Sequence, residues 1–199
     1  MVLRIWLMLV LALAGPAAAQ TSGYSGQQGR AIKALSAEET ADLLAGRGMG
    51  LARAAELNHF PGPAHVLELR EQLGLSAGQI RAVQDCFDRM SAAARPLGVE
   101  ILAAERRLDE AFASGSILVD MLRAQTAGIG ELQGRLRAVH LAAHLETHAL
   151  LSPEQIARYD TLRGYSSDAG PAHDHRRHNG WAASGAAFSW LARNSPAER

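Results

Sequence analysis

The chain has 199 residues, 20 Lys+Arg set against 20 Asp+Glu, and one cysteine. That length suits one modest domain with tails, and the charge balance leaves no basic excess to draw nucleic acid or an anionic membrane. Cys86 alone excludes an internal disulfide, so packing must hold the fold.

The N-terminus reads as a secretion signal. Met1 to Arg4 supply a short charged start, Ile5 to Gly15 an apolar run, and Ala17-Ala18-Ala19 a small-residue cleavage site. The apolar run is too short to span a bilayer. Residues 1–19 are therefore expected to be a signal peptide cleaved after Ala19, and the mature protein to be periplasmic; an uncleaved anchor is the alternative.

Residues 20–35, rich in Gly, Ser and Gln, read as a flexible leader. Residues 36–62 form a short helical segment. Ser36 and Glu39 have capping-box spacing, and Gly46, Gly48 and Gly50 then break the chain. A further run follows over about 51–57, and Pro61-Gly62-Pro63 ends it. Residues 63–164 make up the main domain. Val66, Leu67, Leu69 and Leu73 mark a helical stretch closed by Gly74. After it, Ile80, Val83, Phe87, Met90, Ala94, Leu97, Ile101, Ala104 and Leu108 recur at steps of three and four. Pro96 lies inside this run and is expected to kink the helix.

Ser114-Gly115-Ser116 is a turn, after which a second stripe runs from Leu118 through Ile129, Leu136 and Ala143 to Leu150. Two long seamed helices joined by a short turn must pack antiparallel. Gly128, Gly130 and Gly134 lower the second helix's propensity; they permit close approach of another backbone or make the helix mobile. Ser152, Pro153 and Gln155 open a last helix that ends at Gly164. Residues 165–199 are polar and read as a disordered His-containing tail, with a transient helix near 188–191. The fold class is all-α: a long antiparallel helical hairpin with short flanking helices. Leu102, Phe112 and Leu145 fall off the seam and suggest a homodimer.

Two pentapeptides, LSAGQ at 75–79 and LSPEQ at 151–155, are variants of Leu-Thr-x-x-Gln. With the hairpin between them, the chain resembles the Spy/CpxP (LTXXQ motif) family of periplasmic stress proteins over roughly residues 63–163. The resemblance implies an ATP-independent chaperone that binds unfolded or partly folded periplasmic clients, or a protein that answers to an envelope sensor or regulator. Ser76 with Gln79 and Ser152 with Gln155 have capping-box spacing and are read as structural caps. Chaperone members carry a markedly basic concave face, yet residues 76–114 hold five Arg against six acids, and 117–163 five against five.

The histidines carry the competing reading, a heavy-metal sensor or metal-binding resistance protein. His140, His144 and His148 are four apart, so each ring is turned by only about 40° from the last, and the three span about 12 Å. A pair of neutral imidazoles on one helix face can ligate Zn2+, Ni2+, Co2+ or Cu2+, with a further ligand from elsewhere. His140 flanks the seam, and His144 and His148 turn outward. His65, with His59 nearby, reaches the same end of the hairpin and is the expected partner of His144 or His148. This arrangement is similar to periplasmic nickel/cobalt sensors of the same superfamily. His173, His175 and His178 form a second, tail cluster. No cofactor is required by any motif. No nucleophile elbow, P-loop or dinucleotide fingerprint is present, so no enzyme is expected. Cys86, beside the seam residue Phe87, is expected to act as a small hydrophobe.

Overall fold

The structure is a computed structural model that describes residues 22–166. The segment expected to be a signal peptide, the tail histidines His173, His175 and His178, and the stretch 188–191 lie outside the described residues. Within them there are six helices and no strand: α1 (Ala37–Ala45), α2 (Arg53–Glu56), α3 (Pro63–Glu68), α4 (Ala77–Ala113), α5 (Val119–Leu150) and α6 (Pro153–Arg163). The protein is all-α. Among the described residues no helix is long and apolar enough to cross a membrane.

α4 and α5 lie side by side with their sequences running in opposite senses. Gln79 donates to the Leu150 carbonyl at 2.9 Å, the Cys86 thiol lies 3.6 Å from the Ala143 carbonyl, and Arg89 pairs with Glu146. The stripes expected to face each other supply the buried residues, Val83, Met90, Ala94, Leu97 and Ile101 from α4 and Ile129, Leu136 and Ala143 from α5. α4 runs unbroken through Pro96. That proline and Ala92 are both exposed, so the carbonyl that loses its partner faces water. Gly128, Gly130 and Gly134 have open space where a side chain would stand. Within the described chain they accommodate no second backbone.

The segments before α4 fold back over the helix pair. Ile32, 3% exposed, and Leu43 of α1 join Ala94, Leu97, Leu102 and Leu136 in one cluster. The leader is thus fixed at its C-terminal end, where Lys33 also pairs with Asp109 at 3.0 Å. Leu102, expected to be left for a dimer partner, is buried under this layer instead. Phe112 and Leu145 remain exposed. α1 approaches α4 so closely that a Cβ on Gly98 would stand 2.0 Å from the Leu43 carbonyl oxygen.

A second cluster joins Val66, Leu73, Val83, Leu151 and Tyr159 and seats α6 against α3 and the start of α4. Each such fully buried apolar side chain contributes roughly 1.5–3 kcal/mol. The two LSxxQ segments meet here. Ser76 and Ser152 each close a capping box with the glutamine three residues on. The same glutamines then bind one another: Gln79 Nε2 donates to Gln155 Oε1 at 2.8 Å, and Gln155 Nε2 returns to Gln79 Oε1 at 3.3 Å. Each amide therefore caps its own helix and ties α4 to α6. Ser76→Ala, which removes a cap alone, should cost about 1 kcal/mol in urea unfolding. Gln79→Ala also breaks the bridges to Gln155 and Leu150 and should cost about twice that. Combined with Gln155→Ala, its effect should fall short of additive, because the two share one amide pair.

Candidate functional site

The chain between α2 and α3 decides where the histidines go. After Glu56 the backbone crosses the α5 end of the helix pair through Phe60, Pro61 and Gly62, all intermediate to buried. The Phe60 carbonyl lies 2.7 Å from His144 Nδ1. A carbonyl oxygen can only accept, so Nδ1 carries the hydrogen, and in the neutral ring Nε2 holds the lone pair. The Phe60 ring stacks on His148 with centroids 4.4 Å apart. A Cβ at Gly62 would lie 2.8 Å from His144 Cε1 and Nε2, so only glycine lets the backbone lie flat against that imidazole. His59 takes φ 66 and donates from Nδ1 to Asp160 of α6 at 2.7 Å.

This crossing overturns one expectation. His144 does not turn outward; it is 9% exposed and His140 is 3% exposed. Heptad position alone could not show it, because the cover comes from the crossing segment 56–62, a strap over the helix pair, rather than from the partner helix.

Glu56 is the centre of the polar groups. Its Oε1 accepts from the Tyr159 hydroxyl at 2.5 Å and from Tyr165 at 3.2 Å, with Arg163 Nε at 3.5 Å and His65 Nδ1 at 3.7 Å. Its Oε2 lies 3.7 Å from His144 Nδ1 and accepts no hydrogen bond. His65 and His144, 79 positions apart, thus stand on the two oxygens of one carboxylate. Burial by itself would push Glu56 up, but His65, the Tyr159 hydrogen bond and the nearby His144 outweigh it and hold the group down at about 2. Tyr159, raised by burial and by the Glu56 charge, stays a donor.

Above this carboxylate a cavity of about 710 Å³ opens between the strap and the helix pair. Its walls are mostly apolar, with Met49, Leu57, Pro63, Phe87 and Met90 among them, and the Gly46–Gly50 loop forms one side. Met49 in that loop sits at φ 45, an uncommon conformation for a non-glycine residue. The cavity's polar lining comprises the buried Glu56, His140 and His144 and the more exposed His65, Asp42, Arg47, Arg53, Ser91 and Tyr165. His140 Nε2 has no hydrogen-bond partner. Burial, then the neighbouring His144, lowers the His140 pKa, which favours a neutral ring.

His140, His144 and His65 therefore share one site, while His148 is engaged with Phe60. Among the described residues no group of three or more His, Cys, Asp or Glu side chains is arranged to hold a metal ion. Glu146 faces Arg89 on another side. Cys86 is buried, and burial pushes its thiol upward, which suppresses the thiolate. Glu56, Tyr159, Asp160, Arg163 and Tyr165 were not legible as site residues, since each is a single polar position on a short helix or its end. No protein-family model, curated protein or solved structure matches the chain.

Proposed function

We propose that this is an exported periplasmic binding protein, built on a long antiparallel hairpin of the Spy/CpxP type, that holds a small ligand reversibly in the cavity and performs no catalysis. The observation that carries this is the cavity itself. At about 710 Å³ it lies in the range of small-molecule sites, with mostly apolar walls and three buried polar side chains, on two of which an atom, Glu56 Oε2 and His140 Nε2, has no partner.

A metal ion is a second reading, favoured by the hydrogen bond from His144 Nδ1 to Phe60. A ligating histidine is commonly fixed in this way through its other nitrogen, and His140 stands one turn earlier on the same helix. Calorimetric titration of the full-length protein with Zn2+, Ni2+, Co2+ and Cu2+ tests it. Binding on this site should be micromolar or tighter and be lost in His140→Ala and His144→Ala. Binding that survives both changes but vanishes on truncation after Gly164 would transfer the metal to the tail histidines. Client binding of the chaperone type draws support from Phe112, Leu118, Val119 and Met121, exposed together around the α4–α5 turn. It requires suppression of aggregation of a denatured test protein without metal; no suppression at several-fold molar excess would remove it.

A further inference from the structure

We infer that the ligand is a small organic amine, an apolar body bearing one protonated nitrogen that meets Glu56 at the inner end of the cavity. This inference rests on the pocket-binding reading above and names the chemical class that the pocket selects.

The carboxylate supplies the head-group site. An ionised carboxylate offers about four acceptor positions on two oxygens. Here Oε1 is crowded by two phenols and Arg163, whereas Oε2 is buried and accepts nothing. A buried acceptor left in that state is costly, and a charged N–H donor is the partner that relieves it best. An alcohol would make a weaker bond, and an acid would meet a like charge.

The cavity wall supplies the body. Met49, Leu57, Pro63, Phe87 and Met90 offer no hydrogen bonds beyond their backbone; the arginines that also line the cavity, Arg47 and Arg53, are exposed, and Arg47 is paired with Asp42, so the buried part of the wall suits an apolar body. Phe87 and the two methionines also suit a cation or an aromatic group through the ring face and polarizable sulfur. The His140 ring, 3% exposed and without a hydrogen bond at Nε2, stands on the same wall as a second polar contact. Both free atoms are buried, Glu56 Oε2 with His144 Nδ1 3.7 Å away, so the ligand's head group reaches them only as the surrounding side chains give way.

The test uses the full-length protein and two probes that differ only at the head, 4-phenylbutylamine and 4-phenylbutan-1-ol, with Ni2+ titrated in parallel. The amine should bind about tenfold more tightly than the alcohol, the factor expected of one charge-assisted hydrogen bond. Glu56→Gln should bring the two probes to within about threefold of each other. Ala64→Phe, which fills the cavity from α3 and leaves the Glu56 contacts in place, should abolish binding of both, and decides the matter if Glu56→Gln does not fold. Equal affinity for amine and alcohol, an amine preference that survives Glu56→Gln, or amine binding unaffected by Ala64→Phe would overturn the inference. Ni2+ binding lost in His144→Ala, with neither organic probe bound, would also overturn it and favour the metal reading, whereas binding of the alcohol as tightly as the amine would leave the small-ligand reading intact. Heat from none of the three probes would remove both.

Discussion

Gly98→Ala should destabilise the protein by about 2–3 kcal/mol, although alanine is the better helix former. In the interior of α4 the exchange alone would gain up to about 1 kcal/mol. The new methyl, however, would stand 2.0 Å from the Leu43 carbonyl oxygen and 2.7 Å from its carbon. Those atoms belong to the backbone of α1 and cannot rotate away as a side-chain tip can. Relief requires α1 to move outward by more than an ångström, which opens the cluster of Ile32, Leu43, Ala94, Leu97 and Leu102. Overpacking of this kind costs typically 1–3 kcal/mol, and loss of Leu43 burial adds to it.

The control is the same substitution at Gly128 or Gly130 on α5, where nothing lies within 4 Å. There the helix-propensity gain stands unopposed, and stability should rise by up to about 1 kcal/mol. Chemical denaturation of the three variants measures both signs. Hydrogen exchange on Gly98→Ala should show faster exchange in α1, with α4 and α5 still protected. If Gly98→Ala were as stable as the parent, the close seating of α1 on α4 would be wrong.

Much of this arrangement can be traced to local chemistry. The stripes at steps of three and four place Val83, Met90, Ala94 and Leu97 opposite α5, and the capping residues at 36, 76 and 152 start helices where their hydroxyls accept the N3 amide. Such signals depend on residues a turn apart. The seating of α1 depends on one missing side chain at Gly98 meeting a carbonyl 55 positions away, and nothing near Gly98 in the sequence records that.

The site divides in the same way. The spacing of His140 and His144 puts both rings on one face of α5, and the topology brings His65 to the same end. What could not be read is the cover over them: Phe60 supplies a carbonyl, Gly62 supplies room, and Glu56 supplies the charge. Phe60 and Gly62 sit in the connecting segment and Glu56 ends the short helix before it, so their path is set by tertiary packing rather than by periodicity. Glu56 is a single acid on a four-residue helix, and its partners Tyr159 and Tyr165 lie over a hundred positions on.

That long-range cluster should make Glu56 the principal acid-labile contact between the strap and α6. Its carboxyl is held at about 2, against an ordinary 4.5. A depressed folded-state pKa means that the unfolded chain binds the proton first, so the stabilisation is complete above about pH 5 and disappears as pH falls through about 2. The difference in pKa corresponds to about 3 kcal/mol. Other carboxylates titrate over the same range, so the parent's stability alone would not isolate this one. The measurement is the difference in unfolding free energy between the parent and Glu56→Gln, which retains the shape but has no proton to gain. At neutral pH the parent should be the more stable, because glutamine answers the Arg163 guanidinium and the two phenols without a charge. Between about pH 5 and pH 2 that advantage should shrink by about 3 kcal/mol, and proteolysis near α6 should become easier in the parent over the same interval. A gap that stayed constant, or widened in acid, would mean that desolvation controls Glu56 and that the contacts from His65 and Tyr159 do not hold its charge.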